Sequence, residues 1–205
     1  MDALNVLFGG QARVRMMRLF IFNTEAVFDT EDLCGKLRIN TRESKNELDI
    51  LLKSGLIVKR KFVKVTQKVV RGKPIEIKKK TVGFVLNPEF PYLSSLKQLL
   101  LNTKTLGGKE ILNRLSKAGR LKFVLISGIF IQNPESRVDI MVVGDRIKRP
   151  VLDRAIKAIE IELGKDLNYS YFEIEDYKYR LGMYDKLIRD VLDFPHQVLL
   201  DKLSA

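Results

Sequence analysis

The sequence predicts a two-domain protein of mixed class, written α+β / α/β, and three observations predict it. Apolar residues recur at helical spacing in three consecutive segments between residues 11 and 54. Two strand-like segments, IVKRKFVKVTQKVV and PIEIKKKTVGFVL, follow directly. From residue 120 onward, strand and helix patterns alternate. These features assign residues 1–90 to a front domain, 91–119 to a linker of two short helices, and 120–205 to a rear α/β domain.

The first helix is expected from about Gln11 to Asn23, with Val14, Met17, Phe20 and Ile21 inward. Thr30-Glu31-Asp32 reads as the next helix start, a hydroxyl cap followed by acids, with Leu33 and Leu37 on its inner face. After a turn at Ile39-Asn40-Thr41, a third helix runs from Thr41 to Ser54 on Leu48, Leu51 and Leu52, and Gly55 stops it. A tight turn between the second and third of three helices makes a helix-turn-helix. The third helix of such a unit offers its N-terminal turns, here Thr41, Arg42, Glu43, Lys45 and Asn46, to base edges. A solvated helix face is the competing reading of those residues.

Charge sharpens the choice. The chain of 205 residues carries a net charge of +12, and residues 1–90 hold 18 Lys and Arg against 10 Asp and Glu, a net of +8. Ten of the basic residues (Lys59, Arg60, Lys61, Lys64, Lys68, Arg71, Lys73, Lys78, Lys79 and Lys80) fall in the strand pair beside one acid, Glu76. Val63, Val65 and Val69 alternate with Lys64, Thr66 and Lys68, so the two sets lie on opposite faces. A basic hairpin placed after a recognition helix suits a phosphate backbone. An edge hairpin kept soluble by lysines is the alternative.

Other classes are excluded. The single cysteine, Cys34, rules out an internal disulfide scaffold and reads as a small buried hydrophobe. The N-terminus lacks the pattern of a secretory leader, and the longest apolar run, Phe123 to Ile131, is broken by Ser127 and Gly128. A cytoplasmic protein without a membrane partner is expected. One histidine, His196, cannot assemble a Cys/His zinc site or a triad, and neither a P-loop nor a G-x-G-x-x-G motif is present. No cofactor and no metal are expected.

The segments LFGGQARVRMMRLFIFN and FDTEDLCGKLRINTRESKNELDILLKSGLIVKRK resemble the winged helix-turn-helix domains of small prokaryotic transcriptional regulators. The resemblance covers about the first 90 residues and implies binding of double-stranded DNA.

In the rear domain, strands are expected at Leu121–Ser127, Val138–Val143 and Leu167–Phe172, a helix at about Arg149–Leu163 and helices over about Glu175–Asp193, with a last short helix after Pro195. The order strand, glycine turn, S-x-x-D strand, helix, strand resembles the minimal nucleotidyltransferase fold of the DNA polymerase β-like superfamily. That resemblance implies a phosphate-binding Gly-Ser pair and an Asp-x-Asp that holds magnesium. Here Ser127-Gly128-Ile129 replaces the pair, and Ser136-Arg137-Val138-Asp139 puts arginine where the first carboxylate belongs. An arginine cannot ligate a cation. The site (Ser127, Gly128, Ser136, Arg137, Asp139) is therefore read as degenerate and non-catalytic, with Asp139 paired to Arg137 or a neighbouring base. Glu173 is a third candidate acid. Tyr169, Tyr171, Tyr177, Tyr179 and Tyr184 read as either a base-stacking surface or packing.

The resulting expectation is a homodimeric DNA-binding regulator whose rear domain dimerises or senses a nucleotide-like effector. An active nucleotidyltransferase and an antitoxin-like protein-interaction module are the alternatives.

Overall fold

The computed structural model describes residues 3–70, 73–100, 107–131, 133 and 135–203. The fold is mixed α+β, with two separate sheets. The chain divides into two compact units. The first holds residues 1–101 together with 161–165, and the second holds 102–160 and 166–205. The stretch 91–119, read above as one linker, is shared between them.

The first unit opens with a short helix α1 (Ala3–Leu7) and then α2 (Gln11–Phe22), α3 (Thr30–Leu37) and α4 (Thr41–Ser54). Its core gathers Val14, Met16, Phe20, Leu33, Leu37, Leu48, Leu51 and Leu56, with Phe20 and Phe28 meeting edge to face. The cap of α3 lies one residue earlier than Thr30. Asp29 accepts from the Asp32 amide while Asp32 accepts from the Asp29 amide. A carboxylate answers the first-turn amides better than a neutral hydroxyl, so Thr30 becomes the first helical residue. Helix α4 starts and stops as its sequence predicts, with the Asn40 side chain capping Glu43 N and Gly55 left-handed at φ 80°.

Two long strands, β1 (Ile57–Val70) and β2 (Lys73–Leu86), then pair antiparallel from Ile57↔Leu86 outward. Phe28 bridges Phe84 on the outer side of β2, and a Cβ at Gly83 would strike Val27 and Phe62. This close approach seats the hairpin base on the α2–α3 connection. Helix α5 (Leu93–Leu100) closes the unit, and the buried Arg18 guanidinium donates to the carbonyls of Leu100 and of Glu162.

The second unit starts with α6 (Gly108–Leu115) and continues as β3 (Arg120–Ile126), β4 (Ile140–Asp145), α7 (Arg149–Leu163), β5 (Tyr169–Glu173), α8 (Ile174–Gly182), α9 (Lys186–Asp193) and β6 (Gln197–Asp201). The sheet order is β5-β4-β3-β6, with β4 and β5 parallel and the other pairs antiparallel. Consecutive β4 residues Ile140, Met141, Val142 and Val143 are all fully buried, so both sheet faces are covered.

Two expectations are corrected here. The last segment, QVLLD, is strand β6 rather than a helix after Pro195, because it completes the open edge of β3, and His196 begins no helix. The helices expected across 175–193 are α8 and α9, divided where Tyr184 takes a left-handed φ of 55° and Asp185 caps α9. The strands expected from Val138 and Leu167 begin two residues later. Asp139 and Asn168 are engaged with each other ahead of the ladder. Among the described residues, no helix is long and apolar enough to cross a membrane.

Candidate functional site

At the start of α4, Thr41, Arg42, Glu43, Lys45 and Asn46 are all exposed, while Ser44 and Leu48 turn inward. The helical period thus places all five predicted side chains in solvent. Arg13 of α2 fixes the inner side of the helix through Glu47 at 2.6 Å. Cys34 is half-buried, with its Sγ 4.0 Å from Thr41 Oγ1, and is not the core hydrophobe expected.

In an antiparallel pair, residues opposite each other share a face. One face of the hairpin therefore carries Lys59, Lys61, Val63 and Val65 opposite Phe84, Val82, Lys80 and Lys78. The other carries Arg60, Phe62, Lys64 and Thr66 opposite Gly83, Thr81, Lys79 and Ile77. The second face is the one seated on the helices, since Gly83 and Phe62 meet Val27 and Lys64 reaches α3. Beyond Phe84, which packs on the core, the first is open, with Val63, Val65 and Val82 about half exposed beside the four lysines.

Lys64 differs from the other predicted contacts. Its Nζ lies 2.7 Å from Asp29, 2.9 Å from Asp32 and 3.4 Å from Glu31, and its side chain is only 20% exposed. The ammonium is an anchor tying β1 to the acidic first turn of α3, and is not available to a phosphate. The hydrogen bond that Lys64 donates to Asp29, opposed by burial, holds Lys64 above its ordinary pKa. Burial pushes the Asp29 carboxyl up, but Lys64 and the Asp32 amide outweigh it and hold the group below the usual carboxylate range. A depressed carboxyl contributes stability that is present above its unfolded pKa, near 4, and is lost as pH falls through the folded value. Lys64→Met should therefore cost about 1 kcal/mol near neutrality. Denaturant midpoints of variant and wild type should converge as pH falls below the usual carboxylate range.

The remaining predicted cations sort by exposure. Arg42, Lys45, Lys59, Arg60, Lys61, Lys78 and Lys80 are exposed, and none makes an ion pair with a described residue. Arg114, Arg180 and Arg189 in the second unit each pair with an acid one helical turn away. The side chains of Lys68, Arg71 and Lys73 lie outside the described residues.

The second predicted site is occupied by the protein itself. Asp139 is buried, and its carboxylate accepts from Ile129 N at 2.9 Å and from Asn168 N at 2.8 Å. Gly128, left-handed at φ 56°, leaves the space that Asp139 Oδ1 fills, where a Cβ would collide. Ser127 donates to the Val138 carbonyl across the same turn. Asp139 is thus a clamp between the turn after β3 and the entry to β5. The expected Asp139–Arg137 pair does not form, because the Asp139 carboxylate is drawn inward onto two amides while Arg137 lies in the bend before β4 and half exposed. Arg137 instead meets Asp190 of α9 at 2.9 Å. Ser136 Oγ is buried without a hydrogen-bond partner. Glu173 accepts from the amides of Arg146 and Ile147 and caps the turn after β4.

The tyrosines do not form one stacking surface. Tyr177 packs in the core against Phe123 and Phe172, and Tyr169 donates to Asp153 at 2.5 Å. That hydrogen bond, with burial, pushes the Tyr169 hydroxyl up to about 12. Tyr179 and Tyr184 are exposed. Comparison of the chain with protein-family models, with curated proteins and with solved structures finds no match, so residue geometry alone carries the functional argument.

Proposed function

We propose that this protein is a transcriptional regulator that binds double-stranded DNA through its first unit. In this reading α3, the turn and α4 form a helix-turn-helix, α4 enters the major groove, and the hairpin is a wing laid on a phosphate backbone. The observation that carries it is a set of six exposed cations, Arg42 and Lys45 on α4 and Lys59, Lys61, Lys78 and Lys80 on the open hairpin face, none of which makes an ion pair with a described residue. Arg42 and Asn46 have the donor geometry to read guanine and adenine edges, while the lysines add affinity and salt dependence without sequence information.

The second unit is read as a nucleotidyltransferase-like domain without catalysis, serving dimerisation or effector sensing in a cytoplasmic homodimer. Its element order of strand, turn, strand, helix, strand supports the first part. The engagement of both Asp139 oxygens by backbone amides supports the second. Selection of bound duplexes from a random pool tests the main claim and should return a motif, palindromic for a two-fold dimer. Arg42→Ala with Lys45→Ala should then weaken the selected duplex by roughly 30- to 20,000-fold, at 1–3 kcal/mol for each of two lost contacts. Failure to enrich any sequence, or unchanged affinity of the double variant, would overturn the reading.

A further inference from the structure

A second set of unpaired cations lies in the second unit, far in sequence from the hairpin. A cleft of about 440 Å³ opens between α6 and the β3–β6 end of the sheet. Arg120, Lys122 and Lys202 line it with Asn113 and Ser116, over an apolar floor of Leu112, Leu121 and Leu200. Lys202 N donates to the Lys122 carbonyl at 2.7 Å, so the two lysines stand side by side across adjoining strands. Like charges directly opposite on a sheet destabilise it unless something compensates.

Among the described residues, no carboxylate stands in the cleft beside these cations. None of the three cations makes an ion pair with a described residue. Asp145, the register partner of Arg120, does not line the cleft. Asp201, beside Lys202, accepts from the Leu203 amide, and its charge acts on Tyr177, which packs in the cluster on Phe123 and Leu125. Lys122 is half-buried, and a low-dielectric wall strengthens its field toward the opening.

We infer that this cleft is a binding site for a small phosphorylated organic molecule. Three cations match a dianionic phosphoryl group, Asn113 and Ser116 supply orienting hydrogen bonds, and the leucine floor accepts an apolar or planar body. The volume falls within the range that holds a small ligand. The site lies away from Ser127, Gly128 and Asp139, where an effector would have been sought from sequence, and it stands independently of DNA binding.

Phenyl phosphate is the probe, titrated calorimetrically into the full chain. One saturable site is expected, weaker for inorganic phosphate and absent for phenol. Lys122→Met with Lys202→Met should weaken binding at least tenfold, while Lys59→Met with Lys61→Met leaves it unchanged. The cleft variant should melt no lower than wild type without the probe, since a like-charge contact is relieved. Should it fail to fold, Lys202→Met alone, at an exposed position, carries the test. The inference is overturned by no saturable binding, by equal affinity for inorganic phosphate, or by equal loss in the hairpin variant. It is also overturned if the cleft substitutions weaken duplex binding and leave phenyl phosphate untouched. A protein that binds phenyl phosphate but selects no DNA would sink the regulator reading and leave this site standing.

Discussion

Asp139→Ala is expected to destabilise the second unit by about 2–4 kcal/mol, because two part-buried amide donors lose the buried carboxylate that they now meet. The amides belong to Ile129, in the turn that leaves β3, and to Asn168, at the entry to β5. Alanine removes both acceptor oxygens and leaves the hollow over Gly128 unfilled, so the loss combines unmet hydrogen bonds with a small cavity. With total stabilities near 5–15 kcal/mol, that is enough to unfold a large share of the unit at 37 °C. Arg137→Ala should cost less than about 1 kcal/mol, since its bond to Asp190 is half exposed. Guanidinium unfolding followed by tyrosine fluorescence measures both variants. A marginal effect at Asp139 would mean that the carboxylate is not a structural clamp.

Exchanging Lys59, Lys61, Lys78 and Lys80 together for glutamine should lower duplex affinity on the order of a thousandfold at 0.1 M salt. It should also reduce the slope of log affinity against log salt by roughly 3–4, at about 0.9 per phosphate neutralised. Lys64→Gln should leave that slope unchanged, because Asp29 and Asp32 already hold its ammonium. The contrast separates the open face from overall basicity, which would predict similar losses for every lysine. Fluorescence anisotropy over a salt series reads both quantities. Equal slopes for the fourfold variant and wild type would remove the hairpin from the interface.

The local signals in the sequence were strong where one element decides the outcome. Asn40 and Gly55 bracket α4, and the 3.6-residue period put Leu48 and Leu51 inside and Arg42 and Lys45 outside. Partner choice was hidden because it depends on distant residues. Nothing around Lys64 announces that Asp29 and Asp32, more than 30 positions earlier, will take its charge. Strand alternation separated the hairpin's two faces, but the seat at Gly83, where a side chain would strike Val27, decides which face is open. At the C-terminus, QVLLD has neither helical nor alternating periodicity, and only the vacant edge of β3 selects a strand. The cleft was illegible for the same reason, since its cations are contributed by β3 and by a residue some 80 positions later.

The engagement of Asp139 also limits what reversion could restore. Exchanging Arg137 for aspartate would recreate an acid-x-acid signature on paper. The new carboxylate would then lose the cationic partner of Asp190 and stand near it as a like charge. Asp139 would still be buried and turned inward on two amides, one to each oxygen. A cation could be shared between the two carboxylates only after the turn at Gly128 had been rebuilt, so a single exchange recovers the spelling of the motif and not its geometry.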